Sequence, residues 1–346
     1  MRLDLSQLQS AETAENPNAF HRVVLTEKFS TKQQPMVPII DFRSSTVEKQ
    51  MHAAYTTCGF AVFTNVFDSW LSEFLDWQQL VEEFFNLSDV KKTKYSYSGV
   101  ADNLGYSGIT EERLTPNKPG DLKEAFNWKS PDKMKDQYWP EEIPEFKPLA
   151  QKILRIAQLL SLEFLYRFEN ILKLPKGRFV EQHLDGASTM RIIKYPPHKG
   201  EIKQDQLRGN EHTDFGSITL LWRFDDVSGL QVFDREMDGW FDVPIVKNSI
   251  VLNVGDMLQR WSNDTFKSTP HRVVNAEMNK ARYSMPYFVD PGRDVFISNL
   301  TDQPDKYPPI SAEEYLKWRL AQSSADQSYV LNKEVEAEGI QYLPNY

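Results

Sequence analysis

After Thr189 the chain breaks into a series of short strand-like runs, and this punctuation constrains the fold more than any other feature. TMRIIKYPP, EHTDFGSITLLWRF, SGLQVFD, GWFDVPI, SIVLNVGD, STPHRVVN and ARYSMPYFVD follow one another with turn-forming residues between them. Such spacing is that of an antiparallel sandwich or barrel. Asp238-Gly239, between LQVF and WFDV, is a hairpin turn signal.

The first half reads differently. MVPIIDF (36–42) and FAVFTNV are apolar and β-like. Between them, Ser45 and Glu48 form a capping-box pattern, Val47, Met51, Ala54 and Cys58 keep helical spacing, and Gly59 suits the helix end. The periodicity predicts a second helix over 69–86, with Leu71, Phe74, Leu75, Val81 and Phe85 inward. A third is predicted over 144–171, with Phe146, Leu149, Ile153, Ala157, Leu160 and Phe164 on one stripe. Residues 95–142 read as loop, a length that is uncommon without a function. SAEEYLKWRLAQ opens with a second capping box, Ser311 and Glu314, and reads as a closing helix.

Composition narrows the partners. The 346 residues carry a formal charge of −9 with both signs well mixed, which disfavours nucleic acid and anionic membranes. The single cysteine, Cys58, excludes an internal disulfide and a Cys-based zinc or iron–sulfur site. No apolar run approaches the roughly 20 residues of a membrane span. The expectation is a cytoplasmic protein acting on a small molecule, a monomer by default.

Chemistry gathers at EHTDFG. Residues two apart on a strand share a face, so His212 and Asp214 are expected side by side. His271, in STPHRVV, is the best third ligand, expected on a strand across a small barrel. Two histidines and one carboxylate form the facial triad of non-haem Fe(II) oxygenases and leave three positions open. A bidentate cosubstrate can take two of these and dioxygen the third. Arg282 and Ser284 again share a strand face, and a guanidinium fork beside a hydroxyl suits a carboxylate. Their place 11 residues past His271 fits the return strand of a hairpin. The distal carboxylate of 2-oxoglutarate would meet that clamp. His21, His52, His183 and His198 are assigned to structural or surface roles.

From about residue 36 to 320 the chain resembles the isopenicillin N synthase-like Fe(II)/2-oxoglutarate-dependent dioxygenases. VPIIDF, CGFAVFTNV, FFNLSDVKKTKY, GYSG and DLKEAFNW are similar to the family's N-terminal signposts. HTDFGSITLL, GLQV, NVGDMLQRWSNDTFKSTPHRV and RYS match its barrel motifs in order. The resemblance implies a mainly β fold with flanking helices: a double-stranded β-helix (jelly-roll) core with an N-terminal α/β region. It implies an arm at 1–35, an α/β region at 36–180, a jelly-roll core at 181–300, and a helix and tail at 301–346. It implies iron ligation by His212, Asp214 and His271, and cosubstrate binding by Arg282, Ser284 and Tyr195.

The activity so implied is oxidation, hydroxylation first, of a small organic molecule with release of succinate and carbon dioxide. Fe(II), 2-oxoglutarate and dioxygen are the expected cofactors, with ascorbate as an auxiliary reductant. Tyr106, Phe126, Arg191, Trp222 and Phe288 are the expected substrate contacts, and residues 323–346 an expected lid. Ile193, Arg223 and Ser228 depart from common family residues, which bears on the substrate more than on the iron. Two alternatives stand beside this reading: an oxidase that uses no 2-oxoglutarate, and a metal-dependent barrel that binds a small ligand without turnover.

Overall fold

The computed structural model describes residues 36–99, 102–115 and 118–323. The expected arm at 1–35 and the tail beyond the last helix lie outside the described residues. The strands are β1 (Ile39–Asp41), β2 (Phe60–Thr64), β3 (Gly105–Ser107), β4 (Glu124–Trp128), β5 (Thr189–Tyr195), β6 (Gly209–His212) and β7 (Ile218–Arg223). They continue with β8 (Leu230–Asp234), β9 (Gly239–Asp242), β10 (Ile250–Val254), β11 (His271–Val273), β12 (Arg282–Val289), β13 (Phe296–Ile297) and β14 (Ile310–Ser311). The main helices are α1 (Val47–Thr57), α2 (Leu71–Asn86), α3 (Phe146–Ile171), α4 (Asp256–Trp261) and α5 (Ala312–Ser323).

Eight strands pair in the order β1-β2-β10-β7-β12-β5-β4-β3, and four more in the order β6-β11-β8-β9. Strands from residues before 180 thus extend both edges of the larger sheet. Apart from the parallel β1–β2 pair, its ladders are antiparallel. The expected hairpin at Asp238-Gly239 joins β8 to β9, with Asp238 at φ 48°.

The helices bury their apolar faces in the main core. Met51 and Ala54 of α1, Phe74, Trp77, Val81 and Phe84 of α2, and Ile153, Ala157, Leu160 and Phe164 of α3 all belong to it. Leu75 is an exception to the expected stripe: it is 54% exposed, while Trp77 and Phe84 carry the inward face of α2. The capping box at Ser45 does not form. Thr46 is the N-cap and makes no side-chain cap bond. At Ser311 the pattern is half realised, with Ser311 Oγ accepting from the Glu314 amide at 3.2 Å. Gly59 ends α1 at φ +70°, where a Cβ would lie 2.1 Å from the Lys267 carbonyl oxygen. Among the described residues no helix is long and apolar enough to cross a membrane.

The larger sheet sorts side chains by parity. On β7, Ile218, Leu220 and Trp222 enter the helix-covered core, while Thr219 and Leu221 face the opposite side. Trp222 is 1% exposed and stacks on Phe74, with ring centroids 5.3 Å apart. Trp222→Ala should therefore cost about 3–5 kcal/mol of stability. Urea unfolding reads that loss, and 2-oxoglutarate affinity of the folded variant should match wild type.

Candidate active site

A cavity of about 270 Å³ opens between the two sheets. His212, Asp214 and His271 meet on its wall, with one possible ligand atom from each within 4.8 Å of the others. His212 Nε2 lies 3.8 Å, and His271 Nε2 3.7 Å, from Asp214 Oδ1. The route to this cluster differs from the expected one in two ways. His212 is the last residue of β6, so Asp214 lies beyond the strand, in the corner leading to β7. And β11 is not across the barrel: it pairs directly with β6, His271 opposite His212. Their rings stand 4.3 Å apart.

The corner is held by backbone groups. Amides at the start of α4 would lack intrahelical partners. Those of Gly255, Asp256 and Met257 instead donate to the carbonyls of Ser217, Asp214 and Gly216, at 2.9, 2.8 and 3.0 Å. Contact is so close that a Cβ at Gly255 would lie 2.3 Å from the Gly216 oxygen. Asp256 adds a side-chain anchor, accepting from Ser268 Oγ at 2.6 Å, Tyr315 Oη at 3.0 Å and Thr213 Oγ1 at 3.3 Å. His183 is structural, as expected. It bridges the Phe179 carbonyl at 2.9 Å and Ser217 Oγ at 2.8 Å, and burial pushes it down to about 4.

Protonation suits a metal. Burial, then the neighbouring His271, pushes His212 well below the usual histidine range, so its imidazole is neutral. Its Nδ1 faces the Asn210 carbonyl at 2.8 Å, and His271 Nδ1 faces that of Thr269 at 3.2 Å. Those contacts call for a proton on each Nδ1, so that it is Nε2 of each ring that faces the cluster. Burial works against ionised Asp214, but its polar neighbours His271 and His212, together with hydrogen bonds from Asn253 and Thr219, leave its carboxyl below the usual range. Asn253 Nδ2 donates to Oδ2 at 2.7 Å, which leaves Oδ1 for an ion. Two imidazoles and one carboxylate fit a ferrous ion.

Arg282 and Ser284 share the cavity face of β12, and Tyr195 of β5 stands opposite Arg282 in the ladder. The guanidinium lies 4.8 Å from the centre of the Tyr195 ring. No hairpin joins His271 to Arg282: β11 and β12 belong to different sheets, and residues 274–281 carry the chain from one sheet to the other. Arg282 is 1% exposed, its Nε has no partner, and Nη1 donates only to Ser284 Oγ at 3.5 Å. Among the described residues no carboxylate pairs with it. A buried cation left like this fits a site for an incoming carboxylate, as the cosubstrate supplies.

Of the expected substrate contacts, Arg191 and Phe288 line the cavity. Tyr106, Phe126 and Trp222 do not, and strand parity is the reason. Tyr106 pairs with Phe126, and Phe126 with Ile192, all on the core face; Ser107, Asn127 and Arg191 occupy the other. Tyr106 gives its hydroxyl to Glu124 at 2.8 Å, and Phe126 packs on Phe84 at 5.0 Å. Arg223 is turned to the Val227 carbonyl at 2.8 Å.

Most of the polar wall was not legible in the sequence. β3 and β4 fall in the segment expected to be loop, because their buried residues include Ser107, Glu124 and Asn127. Arg191 Nε donates to Asn127 Oδ1 at 2.7 Å, and its Nη2 pairs with Glu112. Lys123 lies 3.4 Å from Glu112 and 3.2 Å from Asp121. Burial opposes ionised Glu112, yet Arg191 and Lys123 prevail and hold it at about 2. Asn253 was legible only as part of the NVGD motif, without a role.

Comparison with known proteins accords with this geometry. Residues 186–291 match the model of the 2OG-Fe(II) oxygenase superfamily, and residues 37–148 that of the non-haem dioxygenase in morphine synthesis N-terminal region. A proline hydroxylase of Petromyces alliaceus is 30% identical over 311 residues, 83% of this chain and 95% of that one. A homoarginine-6-hydroxylase of Glycine max is 31% identical over 274 residues, 73% of this chain and 80% of its own. The crystal structure of a full-length Neurospora crassa protein in complex with alpha-KG and thymine matches with a TM-score of 0.75 at 28% identity, covering 86% of this chain and 99% of that one. The chain therefore belongs to the 2OG-Fe(II) oxygenase superfamily, as an oxidoreductase that depends on Fe(II) and 2-oxoglutarate.

Proposed function

We propose that this oxygenase hydroxylates a small organic molecule between its two sheets, and that those sheets form a double-stranded β-helix. His212, Asp214 and His271 are the iron ligands in this reading; Arg282, Ser284 and Tyr195 hold the cosubstrate. The carrying observation is Arg282, a guanidinium buried at 1% exposure and facing the same cavity as the triad without a carboxylate partner. Relatives named for proline and homoarginine hydroxylation, and one solved with thymine, support a small nitrogen-containing substrate.

Bound iron and 2-oxoglutarate supply the oxidising power, by coupling dioxygen cleavage to decarboxylation of the oxo acid. The chain's own residues position and shield. Arg282 and Ser284 fix the far carboxylate, which sets how the oxo-acid end meets the triad. Asn253 aims the Asp214 carboxylate by holding its second oxygen, and Thr219 adds a hydrogen bond to the same carboxylate. Phe60 packs against His271 with ring centroids 5.3 Å apart and keeps water from that ligand. Phe288 and Arg191 border the space left for substrate.

Turnover should release one succinate per substrate oxidised, read by coupled mass analysis; oxidation of substrate without succinate would overturn the reading. Arg282→Lys should raise the 2-oxoglutarate dissociation constant at least tenfold while Fe(II) affinity holds, because an ammonium offers no planar fork. Anaerobic titration of the visible charge-transfer band measures both. Asn253→Leu should weaken Fe(II) binding about 10–100-fold with the three ligands intact.

A further inference from the structure

Most polar side chains on the cavity wall satisfy one another, as Arg191, Asn127, Glu112 and Lys123 do. Among the described cavity-lining residues, two buried side-chain atoms are left without a hydrogen-bond partner: Arg282 Nε and Asp290 Oδ1. The first belongs to the cosubstrate clamp. The second lies at the other end of the same strand face, which runs Arg282, Ser284, Pro286, Phe288 and then Asp290 just past β12. That end adjoins the metal corner: Phe288 pairs with Thr219, and a Cβ at Gly216 would lie 2.3 Å from Asp290 Oδ1.

Asp290 is 4% exposed, and a buried carboxylate without hydrogen bonds is costly. Burial pushes it up to about 7, with Lys129 acting against that shift and Asp214 adding to it. Lys129 is the nearby cation, yet it gives its ammonium to the Asp102 carbonyl at 2.7 Å, and no ion pair joins it to Asp290. The clamp answers one orphaned charge with the cosubstrate's carboxylate. When ionised, the other orphan has the opposite sign, and a cationic ligand would hold it in that form.

We infer that Asp290 is the substrate-recognising group of the cavity and that the substrate presents a protonated nitrogen to it. The inference rests on the oxygenase reading and specifies its substrate class: a small amine or amino acid, held by an N–H···O contact beyond Phe288. Neutral heterocycles and simple carboxylic acids are excluded from that class, since neither supplies a cation to a desolvated carboxylate.

The test uses the Fe(II)-loaded full chain with 2-oxoglutarate. A metabolite extract is screened for compounds that change mass only when both are present, and each substrate found is titrated anaerobically into wild type, Asp290→Asn and Asp290→Leu. The expected result is a substrate with a nitrogen protonated at pH 7, bound at least tenfold more weakly by both variants. Their charge-transfer band with 2-oxoglutarate should match wild type, and their thermal midpoints without substrate should be no lower. A substrate lacking such a nitrogen, or affinity within twofold in Asp290→Asn, would overturn the inference. A lower midpoint with unchanged substrate affinity would make Asp290 structural and overturn it too. Oxidation of substrate without succinate would strike the oxygenase reading itself, whereas succinate formed with a neutral substrate would strike only this inference.

Discussion

The site depends on one corner being held rigid. Residues 213–217 carry the chain from β6 to β7, and nothing within that corner fixes it. The hold comes from the amides at the start of α4, which find there the acceptors their own helix cannot offer. This explains Gly255 and Gly216: each is a point where the backbone or a carboxyl approaches closer than a Cβ allows. It also explains how Asp214, a proposed ligand, can be held rigid outside a strand. Its carbonyl is bonded to Asp256 N, its carboxylate to Asn253, and its neighbour Ser217 to His183. A ligand held by three elements distant in sequence loses little entropy when a metal arrives.

Charge in the cavity is arranged with equal economy. Along the sides Glu112 and Asp121 sit against Arg191 and Lys123, so the wall is polar but nearly neutral. Such a wall rigidifies without attracting a particular ion. Among the described cavity-lining residues, the buried side-chain atoms without partners stand at the two ends of the β12 face, on Arg282 and Asp290. On the proposed reading, opposite ends of one strand discriminate between two small molecules that enter the same space.

The candidate triad and the proposed clamp were suggested by the sequence because each is a local pattern on a β segment: His-x-Asp, Arg-x-Ser, and a histidine at plausible distance. What could not be read was their spatial relation. His271 and His212 turned out to be neighbours in one sheet, and Arg282 lies in the other sheet, where a hairpin would have kept it beside β11. Helices α2 and α3 were legible from their period, except where Leu75 reaches solvent. β3 and β4 were hidden because one face of each is polar by function, so apolar alternation fails where the cavity needs Ser107 and Asn127. The aromatic substrate contacts failed for the converse reason. Tyr106, Phe126 and Trp222 are large and apolar, and so fill the helix-covered side of the sheet. Parity would have chosen their polar neighbours, but only once the buried face was known.

Asp256 links these two levels, the metal corner and the cavity mouth. Its carboxylate receives Thr213 from the corner and Tyr315 from α5, and Arg319 of the same helix lies 3.3 Å from it. Arg319 also donates to Thr213 Oγ1 at 2.9 Å. Leu316 and Leu320, one and five residues past Tyr315 on that helix, line the cavity. The helix that covers the cavity is therefore fastened to the residue between His212 and Asp214 by a buried ionic network. Displacing α5 would leave Asp256 and Arg319 each short of a buried partner, which is costly. The lining that bounds the substrate and the backbone that carries two of the proposed ligands must then move together or not at all.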